Sequence, residues 1–444
     1  MDLFYLAGAS RGKDIKKEFL AALGENETVA LHILQWLRDV RGGAGERQLF
    51  RELLKVAFDY SSNHSPLYTI VDRIPEIGRY DDLLWLVENM QSDKPDVANH
   101  CAVIFCNGLK AGNGLAFKWT PIKGDIAKVL RKHMGFYKEA DWRKFVVAGR
   151  KTVEQQMCAN EWDQIEFDKV PSVASARYQK AFGRHAPDQY SQYLSQLDKE
   201  EAKINAGAVY PYDITKSVMY GDKQAANAQW KALPNYLEGN KERLLPVIDV
   251  SGSMSCPAGG NNTIRCVDVA LSLGLYVAEH NEGPFKDVFM TFSESPQLIK
   301  VNGTLSQRVD QIIRSRWGYN TDLQKVFAVL LKSAIENKVP EEQMPTTIII
   351  FSDMQFDQAI SKGNSVSAYQ CMRDLYEQSG YKLPNIVFWN LNASNKSVPV
   401  TIGTEGTALV SGFSPSLMKG LLAGDLEPES VMLKTVMVDR YSLN

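Results

Sequence analysis

Residues 244–253 read Leu-Leu-Pro-Val-Ile-Asp-Val-Ser-Gly-Ser. An apolar run of strand length ends in an acid, and two hydroxyls follow at alternate positions. Two later segments repeat the theme. Thr346–Phe351 is apolar and leads into Ser352-Asp353-Met354, and Thr321 sits in Gly-Tyr-Asn-Thr-Asp. Five oxygen-bearing side chains, Asp249, Ser251, Ser253, Thr321 and Asp353, thus follow three separate elements in one half of the chain. Oxygen donors of this kind suit a hard cation such as Mg²⁺, which keeps several of its waters. Asp-x-Ser by itself also serves as a plain turn or as part of a phosphatase-like loop.

The flanks extend the pattern. Residues 264–279 are spaced as a helix with Val267, Val269, Ala270, Leu273, Tyr276 and Val277 on one side. Val288–Phe292, Thr347–Ser352 and Asn385–Leu391 are short apolar runs, as expected of strands buried on both faces. Leu323–Ala334 and Ala368–Tyr376 read as helices. Strands alternating with helices predict a doubly wound, mostly parallel sheet over 241–444. Sites in such sheets lie outside the carboxyl ends of the strands. Gly260-Asn261-Asn262 is expected to form a mobile loop near the oxygen set, and Gly318 to permit an unusual turn before Thr321.

The set Asp249, Ser251, Ser253, Thr321 and Asp353 resembles the metal-ion-dependent adhesion site of von Willebrand factor A domains. The resemblance implies Mg²⁺, or another divalent cation, with one position open to an acidic group from a protein partner. It implies a binding device and no enzyme. A phosphatase-type nucleophile at Asp249 would want a second acid near 251, where this chain has Ser.

Residues 1–235 differ in kind. Helical spacing recurs over Val29–Val40, Glu46–Tyr60, Asp81–Asn89, Val97–Leu109, Ile126–His133, Trp142–Val147, Val173–Phe182 and Ser191–Leu197. Polar or glycine-containing punctuation separates these runs, as in packed helical hairpins. No repeat of fixed length is present, so a regular solenoid is only suggested. The polar, Asn/Lys-rich stretch 222–242 reads as a linker. The expected architecture is therefore α + α/β, an α-helical repeat-like module followed by the doubly wound sheet.

Leu37-Arg-Asp-Val-Arg-Gly-Gly-Ala-Gly-Glu-Arg47, with Phe50, resembles the Arg-Gly-Gly segment of TROVE modules. These are the helical rings of the Ro ribonucleoprotein autoantigens, which an A-type domain follows. The likeness is closer to a family of uncharacterised proteins with the same two-part plan. Its marks are Arg79–Leu84, Val170–Ala174, Lys203–Ala208, Phe351–Asp357 and Val387–Leu391. The Ro likeness implies RNA as a partner. The glycines at 42, 43 and 45 read first as a turn between helices, with Arg38 and Arg47 pairing to Asp39 or Glu46. The other reading is a backbone cradle for phosphate.

The net charge of −2 excludes a polycation as a whole. Locally, residues 101–151 hold eleven Lys/Arg against three acids. The candidate phosphate contacts are Lys110, Lys118, Lys123, Lys128, Arg131, Lys132, Lys138, Arg143 and Lys144, with Phe117, Trp119, Phe136, Tyr137 and Trp142 interleaved. Such a mixture tracks a phosphate backbone and stacks bases. It is equally the composition of a solvated basic face over an aromatic core.

Two functions remain in view: an RNA-binding Ro-like scaffold with a Mg²⁺-dependent interaction domain, or a metal-dependent assembly module without RNA. Tyr178, Phe182, Tyr190 and Tyr193 read as helix core. Six cysteines form no C-x-x-C pair, and no H-E-x-x-H is present. Neither zinc nor a disulfide scaffold is indicated, and an intracellular, cytoplasmic setting is expected. No apolar run reaches membrane-spanning length.

Overall fold

The computed structural model describes residues 1–9, 14–220, 223–258, 261–293, 295–315, 322–354, 365–392, 406–414, 417–418 and 427–443. Packing divides the chain into two units, and these do not follow the linear order. One unit joins Met1–Lys13 to Asn205–Thr435, and the other joins Asp14–Ile204 to Val436–Asn444.

The first unit is built on a six-stranded sheet. Its strands are β1 (Leu244–Asp249), β4 (Val288–Phe292), β5 (Leu298–Lys300), β6 (Thr347–Ser352), β7 (Asn385–Asn390) and β8 (Thr407–Ser411). The spatial order is β5-β4-β1-β6-β7-β8. Every pairing is parallel except the β4–β5 edge. A small antiparallel hairpin, β2 (Pro257–Ala258) and β3 (Asn261–Arg265), follows the turn after β1.

The alternation of side chains gives each strand two buried faces. Leu245 and Val247 of β1 join Met290, Phe292, Ile348, Ile350, Ile386 and Phe388 in a core closed by Val326, Phe327, Leu330 and Leu331 of the helix Leu323–Glu336. Ile248 points to the other face, against the helix Cys266–His280. A Cβ at Gly274 of that helix would stand 2.5 Å from Ile248 Cδ1, so only glycine admits this close approach. The helix is buried on nearly every side. Its outer flank needs a further layer, as expected of a helix that is apolar all round.

The helices Pro211–Tyr220 and Lys223–Lys231 belong to this same unit and pack beside it. Tyr276 donates to the Pro234 carbonyl at 2.7 Å and accepts from Tyr236 N at 2.7 Å. Trp230 Nε1 donates to Glu279 at 2.6 Å. The expected linker at 222–242 is thus corrected, since much of it is a helix that buries Ala225, Ala226, Gln229 and Trp230. Two alanines and one tryptophan make its apolar stripe, and the surrounding Lys, Asn and Gln dominate the composition. The predicted helix start at 264 is also corrected: 261–265 is strand, and the helix begins at Cys266.

The second unit is helical. Its main helices are Lys16–Glu25, Glu27–Arg38, Gln48–Tyr60, Ser65–Ile77, Tyr80–Met90, Pro95–Lys110, Asp125–His133, Glu139–Gly149, Ser172–His185 and Pro187–Asp198. The Arg-Gly-Gly segment is a turn in which four successive amides, from Gly43 to Glu46, are already used. Gly43 and Gly45 N–H donate to the Asp39 carbonyl, Ala44 N–H to Trp36, and Glu46 N–H to Leu37. A Cβ at Gly43 would stand 1.9 Å from the Trp36 carbonyl oxygen, and Gly45 takes φ +70°.

The predicted pairing of Arg38 and Arg47 with Asp39 or Glu46 is corrected. Arg38 and Arg51 both bond Asp82, and Arg47 lies 3.5 Å from Asp81. Asp39 instead receives Arg440 and the Tyr441 hydroxyl. Those three bonds use both carboxylate oxygens and bring the C-terminal segment into the helical unit.

Candidate metal centre

β1 lies at the point where the sheet reverses its order of winding, with β4 on one side and β6 on the other. The carboxyl ends of β1 and β6 therefore open into one crevice, the place where doubly wound sheets present their sites. Asp249 is the last residue of β1, and Asp353 directly follows β6. Both are fully buried.

The strand ends turn sharply, and the turns aim the donors. Ser251 N–H donates to Asp249 Oδ1 at 2.9 Å, and Ser352 Oγ donates to Asp249 Oδ2 at 2.6 Å. Ser251 Oγ and Ser253 Oγ are 3.0 Å apart, and Ser253 Oγ donates to Asp353 Oδ1 at 3.3 Å. Asp353 N–H faces Met254 Sδ at 3.2 Å. Asp249, Ser251, Ser253 and Asp353 thus converge in one hydrogen-bonded cluster. Thr321 lies outside the described residues, as do Gly260 and Gly318.

The charge balance of the cluster is uneven. Burial, opposed by the Ser352 and Ser251 hydrogen bonds and aided by the nearby Asp353 charge, pushes the Asp249 carboxyl up to about 6. Among the described residues no Lys, Arg or His pairs with Asp249. Its oxygens accept from Ser251 and Ser352, and a carboxylate has four lone-pair sites in all. A buried carboxylate beside another, ringed by hydroxyls, fits a hard divalent cation. No group of three or more His, Cys, Asp and Glu side chains is placed to hold a metal among the described residues.

Several neighbours escaped the sequence reading. Ser352 bonds Asp249 and also accepts from Met354 N–H at 3.1 Å, closing the turn that holds Asp353. Met354 has φ +61°, a conformation rarely taken by long side chains and common at functional sites. The only sequence signal for Ser352 is its place at the end of β6, directly before Asp353. Cys256 Sγ lies 3.4 Å from Cys266 Sγ and 3.7 Å from Asp353 Oδ2. Burial raises both thiols above their ordinary values.

Ser352→Ala is expected to lose the donor to Asp249 and the turn closure together. Stability should fall by about 1–3 kcal/mol, the cost of a buried acceptor left without its donor. Any Mg²⁺ response should weaken without disappearing. Thermal melts with and without Mg²⁺ check this, and an unchanged melt would remove Ser352 from the site.

The predicted phosphate contacts lie in the helical unit. Lys110, Lys123, Lys132, Lys138, Arg143 and Lys144 are exposed, and Arg131 is half-buried. Lys118 pairs with Glu154 at 2.6 Å, and Lys128 with Asp125 at 2.8 Å. The interleaved aromatics divide. Phe117 and Trp142 are buried, and they meet Phe136 and Phe145 in an aromatic cluster with centroids 5.1–6.0 Å apart. Tyr137 is 96% exposed and free to stack. Phe182, Tyr190 and Tyr193 are buried with Phe167, as core.

Two family models cover the chain from residue 133 onward. Residues 244–440 match a domain of unknown function, DUF7788, and residues 133–243 match another, DUF2828. The seam between them falls at the first residue of β1, although the helices just before it pack in the same unit as the sheet. The chain is similar to the uncharacterized protein L728 of Acanthamoeba polyphaga mimivirus. The two are 29% identical over 494 residues, which take in 98% of this chain and 83% of that protein. No solved structure matches. No helix among the described residues is long and apolar enough to cross a membrane.

Proposed function

We propose that the sheet-bearing unit is a von Willebrand factor A-type module that binds a protein partner through a divalent cation. The carrying observation is the convergence of Asp249, Ser251, Ser253 and Asp353 at the switch point of the sheet. In this reading the two carboxylates supply charge and the two serines supply neutral oxygens, with Thr321 as the fifth donor. Mg²⁺ held there supplies an open position for an acidic side chain of the partner. Ligand binding, with no catalysis, is the role this donor set supports.

Mg²⁺ bound only by the folded chain must raise its stability, by about 2.7 kcal/mol at a hundredfold excess over the dissociation constant. Asp249→Ala is expected to abolish that shift. Thermal unfolding across a Mg²⁺ titration measures it, and an equal shift in wild type and mutant would sink the assignment.

A Ro-like role for the helical unit is the second reading, and the exposed basic side chains of 110–144 favour it. Their charge supports contact with phosphates, while the burial of Phe117 and Trp142 leaves exposed Tyr137 and half-buried Trp119 as the stacking candidates. Replacing Lys128, Arg131 and Lys132 with Ala is expected to weaken binding to unrelated single strands alike. The slope of log K on log salt should flatten by about 0.7 per lost phosphate contact. Binding titrations at several salt concentrations decide it. No RNA affinity at low salt would leave an assembly module that works without RNA.

A further inference from the structure

Cys256 and Cys266 sit at the two ends of the β2–β3 hairpin. The Cys266 N–H donates to the Cys256 carbonyl at 3.0 Å, continuing the ladder beyond the Pro257–Arg265 pair. That bond sets the two residues opposite each other across the hairpin, as a disulfide between its strands requires. Their sulfurs are already 3.4 Å apart, and both are free thiols. A small rotation about the two χ1 angles closes the remaining gap. Cys266 is buried, where its Sγ also faces the Leu391 carbonyl at 3.4 Å. Cys256 is half-buried and is the sulfur a small reagent reaches first. Its thiol points at Asp353 Oδ2.

We propose that Cys256 and Cys266 form a reversible thiol–disulfide pair that tunes the cation site through Asp353. This rests on the metal-dependent reading for its consequence, but not for its chemistry. The oxidant is a low-molecular-mass disulfide of the glutathione class. The Cys256 sulfur, having lost its proton, attacks one sulfur of that disulfide and breaks its S–S bond. One small thiol leaves, carrying a proton. The Cys266 sulfur then attacks Cys256 Sγ, its proton goes to the second leaving thiolate, and the protein disulfide is complete. Two protein thiols are oxidised, and one small disulfide is reduced to two thiols.

The product differs from the dithiol in two ways that reach the site. A disulfide has no proton to offer, so Asp353 Oδ2 loses the thiol that competes with a cation for its lone pairs. The bond also ties the turn carrying Ser253 to the first residue of the helix Cys266–His280, which fixes that donor in place. Both effects act in one direction. The oxidised protein should bind Mg²⁺ about two- to fivefold more tightly, the worth of one weak hydrogen bond removed from competition.

The test uses the full chain with the exposed Cys158 and Cys371 changed to Ser, so that neither takes up the reagent. It is incubated with glutathione disulfide, digested without reduction and mapped by mass spectrometry. The expected result is a peptide joining Cys256 to Cys266, released by dithiothreitol and absent from Cys256→Ser. Free thiols at both positions, or glutathione retained on Cys256, would overturn the pairing. Mg²⁺ titrations of the reduced and oxidised forms, read by thermal shift, then test the coupling. Equal affinities would overturn the regulatory role while leaving the metal site standing. A linked peptide in a protein that ignores Mg²⁺ in both forms upholds the thiol pair and overturns the metal reading, and the regulatory role with it.

Discussion

Asp249→Asn is expected to make the metal-free protein more stable at pH 8, by about 1–3 kcal/mol, while removing its response to Mg²⁺. The two effects have one cause. Burial lifts the Asp249 carboxyl from 3.8 to about 6. A group whose folded-state value is raised adds stability that is fully present below its unfolded value. That contribution is lost as pH rises through the folded value. Metal-free wild type should therefore weaken as pH climbs from about 4 past about 6, by up to ~3 kcal/mol for a shift of two units. Asn is nearly the same size, keeps an oxygen for Ser251 N–H and carries no charge to desolvate. Its variant should lack this pH dependence. Denaturation at pH 5 and pH 8, with chelator and with Mg²⁺, tests both halves. A mutant less stable than wild type at pH 8 without metal would mean that the buried carboxylate is compensated by a charge, and the case for a cation would fall.

The same physics explains why this part of the chain was legible in its sequence. Strands buried on both faces must be apolar at nearly every position, so β1, β4, β6 and β7 stood out as short runs. A site at a strand end then needs only the next few residues, and Asp249, Ser251 and Ser253 are contiguous in that sense. The same logic points to Asp353, directly after β6. What the sequence hid depends on contacts between distant segments. Cys256 and Cys266 meet because a hairpin folds back on itself, and no spacing rule announces that. Ser352 looked like the end of a strand until its hydroxyl was placed on Asp249. Among the described residues the edge strand β8 pairs with β7 alone, and it carries no long apolar run.

The helical half was legible as helices but not as an assembly. Spacing found Glu27–Arg38 and Tyr80–Met90 to within a few residues, yet missed Ser65–Ile77, which carries Pro75 in its interior. It also read no helix at Pro211–Tyr220, and a linker where Lys223–Lys231 is helical. An amphipathic stripe shows that a helix buries one face, and says nothing of what covers it. The aromatics at 117–142 were open to two readings for that reason, and most of them proved to cover one another.

The segment Arg79–Leu84, prominent in the sequence, is expected to fail structurally when changed. Asp82 is fully buried and accepts from Arg38 Nε at 2.8 Å, Arg51 Nε at 2.7 Å and the Arg79 N–H at 2.9 Å. It joins the helices Glu27–Arg38 and Gln48–Tyr60 to the start of Tyr80–Met90. Asp82→Ala would leave Arg51 with Asp81, at 2.8 Å, but strand the Arg38 guanidinium in the interior. Removing one partner of a buried pair in this way costs about 3–5 kcal/mol, because the remaining charge has neither water nor counter-charge. Arg38→Met with Asp82→Leu should recover most of that loss, since well-packed apolar replacements of a buried pair are often neutral or better. The cycle of single and double mutants isolates the coupling. Amide hydrogen exchange over Leu83–Val87 reads it within the helical unit. If Asp82→Ala leaves that protection intact, the network is not what holds these helices, and the Arg-Gly-Gly and Arg79–Leu84 segments must owe their form to some other demand.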